Sequence, residues 1–415
     1  MTRGRLGLAA AALLAGTAAA LPLTRGHDHG SERRPIETGR RHVSRPSQPE
    51  FSWPVYGFDP ARTHSAPLRL RPPFRTLWTV HADSSFIEFP PVLAGGRLFL
   101  GTNRGLVLAV EARTGRIAWR RQFAGCVAAS PAVGRSVVYV GFMDPPPCRR
   151  NAPSFLAALA ARTGKVLWRF RAGVIESSPL LAQGRLYFGS WDHRIYALDA
   201  RTGSLEWSFS TGDRVKSGVA LAGGTVFAGS YDGYLYALDA RRGRLRWRAG
   251  GGELGGLYAT PSFAHGRVFV GSTNGRVYAF SLAGHLLWSV QTRSYIYSPA
   301  ALAGATAYIG SYDHRLYALS QVTGETRWTF DAGAPISGAP TVLGGLVYFS
   351  TCGSCSSLES NPGARRTFAV DAHTGRLVWR FPDGEYSPVI GDRKGLYLTG
   401  FTSLYGLAPR ARSPR

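Results

Sequence analysis

Six residues stand where side chains of different chemistry would meet. Glu88, Glu176, Lys216, Tyr258, Tyr297 and Tyr386 each lie one or two positions ahead of a short pair: Pro90-Pro91, Ser178-Pro179, Ser217-Gly218, Thr260-Pro261, Ser298-Pro299 and Ser387-Pro388. Arg214 and Arg293 are near two of them in sequence. Carboxylates, an amine and phenols converging on one cavity could orient a polar ligand by hydrogen bonding and stacking. The plainer reading is a solvated rim that binds nothing, and the residue types leave both open.

What would bring these residues together is a repeat. The stretch from Leu186 to Trp207 reads LYFGSWDHRIYALDARTGSLEW. Two apolar runs flank the polar corner Ser190-Trp191-Asp192-His193-Arg194, the mark of a β-hairpin. A second corner follows at Asp199-Ala200-Arg201-Thr202-Gly203, and Leu205 to Phe209 reads as a further strand. The Trp that ends each unit recurs as Trp78, Trp119, Trp168, Trp207, Trp247, Trp288, Trp328 and Trp379, with longer intervals before Trp168 and Trp379. A unit this small cannot bury both faces alone, so it stacks on copies of itself. The period of about forty residues predicts an all-β chain, an eight-bladed β-propeller of four-stranded antiparallel blades. Trp78 has no blade before it, and the last hairpin, near Leu396 and Leu404, has no Trp strand after it. Pairing of these N- and C-terminal strands would close the ring and leave no exposed edge. The first strand of a blade lies innermost, so the six residues are expected to ring one mouth of the channel.

The run Ala197-Leu198-Asp199-Ala200-Arg201-Thr202-Gly203, with Trp207 four residues after the Gly, resembles the tryptophan-docking motif of the quinoprotein family. Units of that family are called pyrroloquinoline quinone (PQQ) repeats, and the resemblance covers Trp53 to Leu407. It implies that the eight Trp residues lie flat between blades as structural glue. Trp53 to Ser65 is similar to the entry segment that crosses the outside of the ring in such propellers. The resemblance points to two kinds of protein. Quinoprotein dehydrogenases hold PQQ and calcium and carry a catalytic Asp and a disulfide between adjacent cysteines. Assembly factors of the BamB type are binding modules. This chain has no adjacent cysteines, and Asp192, Asp232, Asp313, Asp199, Asp239 and Asp371 fall at repeated turns, where they bond local backbone. Glu176 could hold a metal, although no Asn or Asp partner for it is identifiable. No cofactor is expected, with PQQ and calcium as the alternative.

Ahead of the repeats, Arg3 and Arg5 precede an apolar run to Leu23, with small residues at Ala18, Ala19 and Ala20. That layout predicts a signal peptide over residues 1–23, or an uncleaved signal anchor, and an extracytoplasmic propeller. Residues 24–50 form an Arg/Pro/Ser-rich linker, residues 51–409 the propeller with its entry segment over 51–75, and residues 410–415 a basic tail. An even cysteine count in an exported chain favours disulfides, and pairing within each of the two longer units gives Cys126 with Cys148 and Cys352 with Cys355. Cys352-Gly-Ser-Cys355 is followed by Ser356, not the His of a haem-attachment site. It lies in a loop of an all-β chain instead of at a helix start, which speaks against a thioredoxin-like role.

Lys and Arg number 49 against 25 Asp and Glu, a formal charge of +24, most of it outside the first fifty residues. Such a field attracts polyanions, and export favours acidic envelope polymers or lipid headgroups over nucleic acid; an Arg-rich solvated surface explains it as well. The expectation is a monomeric exported propeller that binds or scaffolds an envelope protein or anionic polymer without chemistry of its own. The alternatives are a PQQ- and calcium-dependent alcohol or sugar dehydrogenase, and the sensory ectodomain of a membrane-anchored protein.

Overall fold

In the unit built on Leu186 to Trp207, the corner at Asp192 and His193 reverses the chain. His193 takes a φ of 65°, and strand Arg185–Ser190 returns as Arg194–Asp199 with Phe188 opposite Tyr196. Asp199 closes the next corner by accepting the N–H groups of Arg201 and Thr202 at 3.0 and 2.7 Å. Strand Leu205–Ser210 then lies outermost and Leu180–Ala182 innermost. Leu186, Phe188, Ile195 and Ala197 are fully buried, so both faces of the two middle strands need neighbours.

The computed structural model describes residues 51–83, 89–146, 148, 152–353, 355, 361–386 and 389–410. The expected leader and linker, most of the basic tail, and Glu88 lie outside these residues. Six four-stranded sheets follow one another over residues 92–122, 132–172, 180–210, 219–250, 262–291 and 301–331, here blades 1 to 6. Blade 7, over residues 341–381, gains a fifth strand, Ser65–Ala66, parallel to its innermost strand Thr341–Leu343. In blade 8 strand Phe74–His81 pairs with Ser403–Pro409, Trp78 opposite Gly406 and Thr79 opposite Tyr405. The two ends of the propeller thus share one sheet, as the repeat count required. No helix among the described residues is long and apolar enough to cross a membrane.

The repeated Trp fixes one blade to the next. A Cβ added to Gly203 of blade 3 would come within 2.6 Å of the Trp168 ring of blade 2, so the indole lies directly on that glycine corner. Trp78 meets Gly115, Trp119 meets Gly164, Trp207 meets Gly243, and Trp328 meets Gly375 in the same way. Indole N–H groups donate to carbonyls of the adjoining corner, from Trp119 to Ala161 at 2.9 Å and from Trp207 to Ala240 at 3.1 Å. Trp379, whose neighbouring blade takes its outermost strand from the other end of the propeller, packs against Phe74 and Tyr348 instead.

The entry segment does not cross the outside of the ring. It runs along the innermost strands. Trp53 exchanges two hydrogen bonds of 2.8 Å with Leu93 of blade 1; Pro54, Pro60, Ala61, Thr63 and His64 then accept the N–H groups of Val133, Leu221, Phe263, Leu302 and Val342. Those partners belong to blades 2, 4, 5, 6 and 7 in turn. Arg62 donates to Ser178 and Val219 of blades 3 and 4 at 3.0 and 2.8 Å, and also to the carbonyl of Tyr56. The physical reason is hydrogen-bond demand: the innermost strands have an unpaired edge towards the channel, and an irregular segment threaded there satisfies it. Tyr56, Arg62 and His64 are buried as a result. Burial pushes the Tyr56 phenol well up, lowers Arg62 to about 10, and together with the Arg62 charge lowers His64 to about 3.

Candidate functional site

The pairs that begin the innermost strands are held by their own hydroxyls. Ser178 Oγ accepts the N–H of Ser130 at 3.0 Å, and Thr260 Oγ1 accepts that of Gly218 at 2.9 Å, each bond crossing from one blade to its neighbour. Residues just ahead of these pairs therefore project into a common space. That space is a cavity of about 290 Å³, floored by Tyr56 of the entry segment. Glu176, Lys216, Tyr258, Tyr297 and Tyr386 all line it.

Glu176 is the hub. Its Oε2 accepts the indole N–H of Trp191 at 2.9 Å and its Oε1 accepts the hydroxyl of Tyr258 at 2.7 Å. Lys216 Nζ lies 3.6 Å from Oε2, with the two side chains only 11 and 18% exposed. The ammonium also sits 4.4 Å from the ring centroid of Trp191, 5.2 Å from that of Tyr231 and 5.8 Å from that of Tyr258. Lysine is rare in this chain: Lys165, Lys216 and Lys394 stand among arginines. A compact ammonium fits between three rings and a carboxylate, where a planar guanidinium would need a flat, forked partner. The chain has built an aromatic cage and filled it with its own cation.

Tyrosines continue the wall. Tyr258 and Tyr297 have ring centroids 4.7 Å apart, and Tyr297 meets Tyr312 edge-on at 5.0 Å. Tyr312 donates its hydroxyl to Ser337 Oγ at 3.1 Å. Burial raises the phenols of Tyr231 and Tyr297, with nearby Tyr297 and Tyr295 respectively, and Glu176, adding to the effect, so both remain O–H donors. At the far side, Cys355 and Tyr386 line the cavity. Behind them the buried Glu385 accepts a hydrogen bond from Arg365 Nε at 2.7 Å. Both expected cystines, Cys126–Cys148 and Cys352–Cys355, are formed.

Arg214 sits 5.2 Å from the Trp191 ring, and neither it nor Arg293 lines the cavity. Tyr231 and Tyr312 line the cavity and Trp191 contacts Glu176 and Lys216, and none of the three is among the residues expected from the sequence. A signal for them exists: each occupies the middle of a Ser-(Trp/Tyr)-Asp corner, Ser190 to Asp192, Ser230 to Asp232 and Ser311 to Asp313. The Asp of that corner does hold local structure, as expected. Asp192 accepts the N–H of Gly173 and the Tyr196 hydroxyl, both at 2.8 Å, and the Trp191 indole beside it reaches Glu176.

Comparison with known proteins places this architecture. The family model described as outer membrane protein assembly factor BamB matches residues 74–144, 150–215, 192–296 and 294–398. The chain belongs to this PQQ-repeat family. Within it, quinohemoprotein alcohol dehydrogenase ADH IIB of Pseudomonas putida is 34% identical over 143 residues, which are 30% of this chain and 20% of that protein. BamB of Legionella pneumophila (strain Paris) is 25% identical over 128 residues, 28% of this chain and 31% of that protein. The matches thus span a fifth to a third of the length of these curated relatives. Among solved structures, quinohemoprotein alcohol dehydrogenase from Comamonas testosteroni superposes with a TM-score of 0.69 at 15% identity, covering 88% of this chain and 82% of that one. BamB from Moraxella catarrhalis gives 0.63 at 18%, covering 83% and 100%. At such identities the likeness is one of fold.

PQQ-repeat dehydrogenases imply a calcium ion beside their quinone, and the donor set among the described residues does not fit one. Calcium takes about six to eight oxygen ligands, several of them carboxylate. Among the described lining residues the carboxylate is Glu176, and its oxygens are engaged by Trp191, Tyr258 and Lys216. A cation added next to Glu176 would have to displace Lys216.

Proposed function

We propose that this PQQ-repeat propeller is a non-catalytic binding module outside the cytoplasm, which takes a segment of an envelope protein into its aromatic funnel. The observation that carries the reading is Lys216 beside Glu176, an internal cation on the carboxylate that a bound metal would need. Tyrosine walls of this kind supply stacking area and hydroxyl donors with little rotamer entropy to lose, which suits a peptide segment. The kinship with BamB, named as an outer membrane protein assembly factor, supports an envelope setting.

A second reading, a PQQ-dependent alcohol dehydrogenase, draws on the matched stretch of ADH IIB. Dye-linked alcohol oxidation by the purified chain loaded with PQQ and calcium separates the two. The binding reading expects no turnover and no saturable thermal stabilisation by the quinone. It also expects a photo-cross-linking residue at the half-exposed Tyr295 to capture one discrete envelope protein, and capture to fall when the Tyr297 and Tyr258 rings are removed. Turnover dependent on PQQ would overturn it.

A further inference from the structure

The two cystines of this chain differ in what surrounds them. Cys126 is packed among the apolar side chains of Ala128, Met143, Val174 and Trp191, and the sulfur of its half-buried partner Cys148 lies 3.6 Å from the main-chain oxygen of Asn103, a neutral acceptor. Cys352 is as buried as Cys126, but its Sγ lies 3.2 Å from Oε1 of Glu385, a carboxylate with no exposed surface. A cystine sulfur carries no proton, so in the oxidised state this contact is not a hydrogen bond. When Cys352 becomes a thiol, its S–H can donate to that oxygen. Glu385 is held in place for this by Arg365 Nε at 2.7 Å and the N–H of Gly353 at 3.3 Å on its other oxygen. The second sulfur has the opposite exposure. Cys355 is half-buried and lines the funnel, beside Ser337, Gly338 and Tyr386.

We propose that Cys352–Cys355 is a thiol–disulfide exchange site open to the funnel, with small thiols and their disulfides as its substrates, and that Glu385 is a positioning residue for its reduced form. A thiolate from the funnel attacks Cys355 Sγ; the Cys352–Cys355 bond breaks, and Cys352 leaves, takes a proton and donates it in a hydrogen bond to Glu385. A second thiolate then attacks the sulfur of the first substrate in the mixed disulfide. That releases a substrate disulfide and the Cys355 thiolate, which is protonated by water. Two substrate thiols are oxidised and one cystine is reduced by the same two electrons. The attack is directed to Cys355 because it faces the cavity, and no helix-lowered thiol pKa is required. The three-residue spacing lets the pair re-form without moving a strand, because both cysteines lie in one loop between Leu346–Ser350 and Thr367–Asp371.

The test uses the full chain, native and never unfolded, exposed to graded reduced glutathione or dithiothreitol, then quenched with a mass-tagged maleimide and mapped by mass spectrometry. Cys352 and Cys355 are expected to label at a dithiothreitol concentration at least about tenfold below that needed for Cys126 and Cys148. Cys352→Ser is expected to accumulate a glutathione adduct on Cys355. Glu385→Gln, which keeps the shape but removes the charge, is expected to raise the reductant needed by about tenfold. Both cystines opening together, or only in denaturant, would overturn the proposal in wild-type protein whatever the variants do. An absent adduct at Cys355 would overturn the direction of attack, and an unchanged midpoint in Glu385→Gln would overturn the role given to Glu385.

Discussion

Lys216 Nζ lies 3.6 Å from the Glu176 carboxylate, at the meeting point of blades 3, 4 and 5, with the Trp191 ring beneath it. Both side chains are largely withdrawn from water, and neither could be there alone. A buried charge that loses its partner keeps its desolvation penalty without the attraction that offsets it. Lys216→Met should therefore destabilise the fold by about 2 kcal/mol, since Glu176 retains its bonds from Trp191 and Tyr258. The double variant with Glu176→Gln should recover most of that loss. Urea unfolding of the four proteins in a double-mutant cycle measures the coupling, and additive effects would contradict the pairing.

Ring closure makes Trp78 equivalent to a docking Trp inside the ring such as Trp328. Its indole donates to Ala112 at 3.0 Å and covers Gly115, as Trp328 covers Gly375. Trp78→Ala and Trp328→Ala should each cost about 3 kcal/mol. A chain that begins after Val80, and so lacks both closing strand and entry segment, should melt well below the parent. A negligible effect at Trp78 beside a large one at Trp328 would mean that the terminal blade frays.

Two glycines separate backbone strain from packing. Gly203 and Gly184 have φ of 75° and 78°, so alanine is strained at either. At Gly203 the new Cβ would also meet the Trp168 ring at 2.6 Å, whereas at Gly184 it meets nothing within 4 Å. Gly184→Ala should cost about 1 kcal/mol and Gly203→Ala about 2 kcal/mol more. Guanidinium midpoints report the difference, and equal losses would remove the indole from the inter-blade contact.

The entry segment gives the fold an acid sensitivity. His64 packs edge-on against Tyr56, its Nε2 finds no hydrogen-bond partner among the described residues, and burial keeps it neutral down to about pH 3 against 6.5 for a free imidazole. Below pH 6.5 the unfolded chain takes up a proton that the folded chain refuses, so stability falls as pH drops from 6.5 towards 3. Between about pH 7.5 and pH 5 His64 should account for roughly 2 kcal/mol of lost stability. His64→Gln should remove that component, and urea midpoints of variant and parent should draw together over this range. Curves that stay parallel would show that His64 is charged in the folded chain.

Much of this was legible in the residue order because the propeller repeats it. Trp207 and its seven counterparts fixed the blade count, and the Ser-Pro pairs with their relatives Ser217-Gly218 and Thr260-Pro261 placed Glu176, Lys216 and the tyrosines ahead of innermost strands. The entry segment was misplaced because it has no period: its course is set by carbonyls such as Pro60 and Thr63 meeting strands far away in sequence. Trp191 was hidden for another reason. In the residue order it is part of the polar corner Ser190 to Arg194, and its contact with Lys216 exists only once blade 4 lies alongside blade 3. Glu385 likewise gains meaning through Arg365 and Cys352, partners on a different turn of the blade.

In the proposed binding module Lys216 takes the place of a metal beside Glu176. Terbium substitutes for calcium at oxygen sites and emits when neighbouring tyrosine or tryptophan is excited, and the rings around Glu176 would sensitise it. Titration of the wild-type chain with terbium is expected to give no saturable emission that calcium displaces, with or without PQQ. Saturable emission, competed by calcium and lost in Glu176→Gln, would contradict the account and return the funnel to a metal-assisted quinone enzyme.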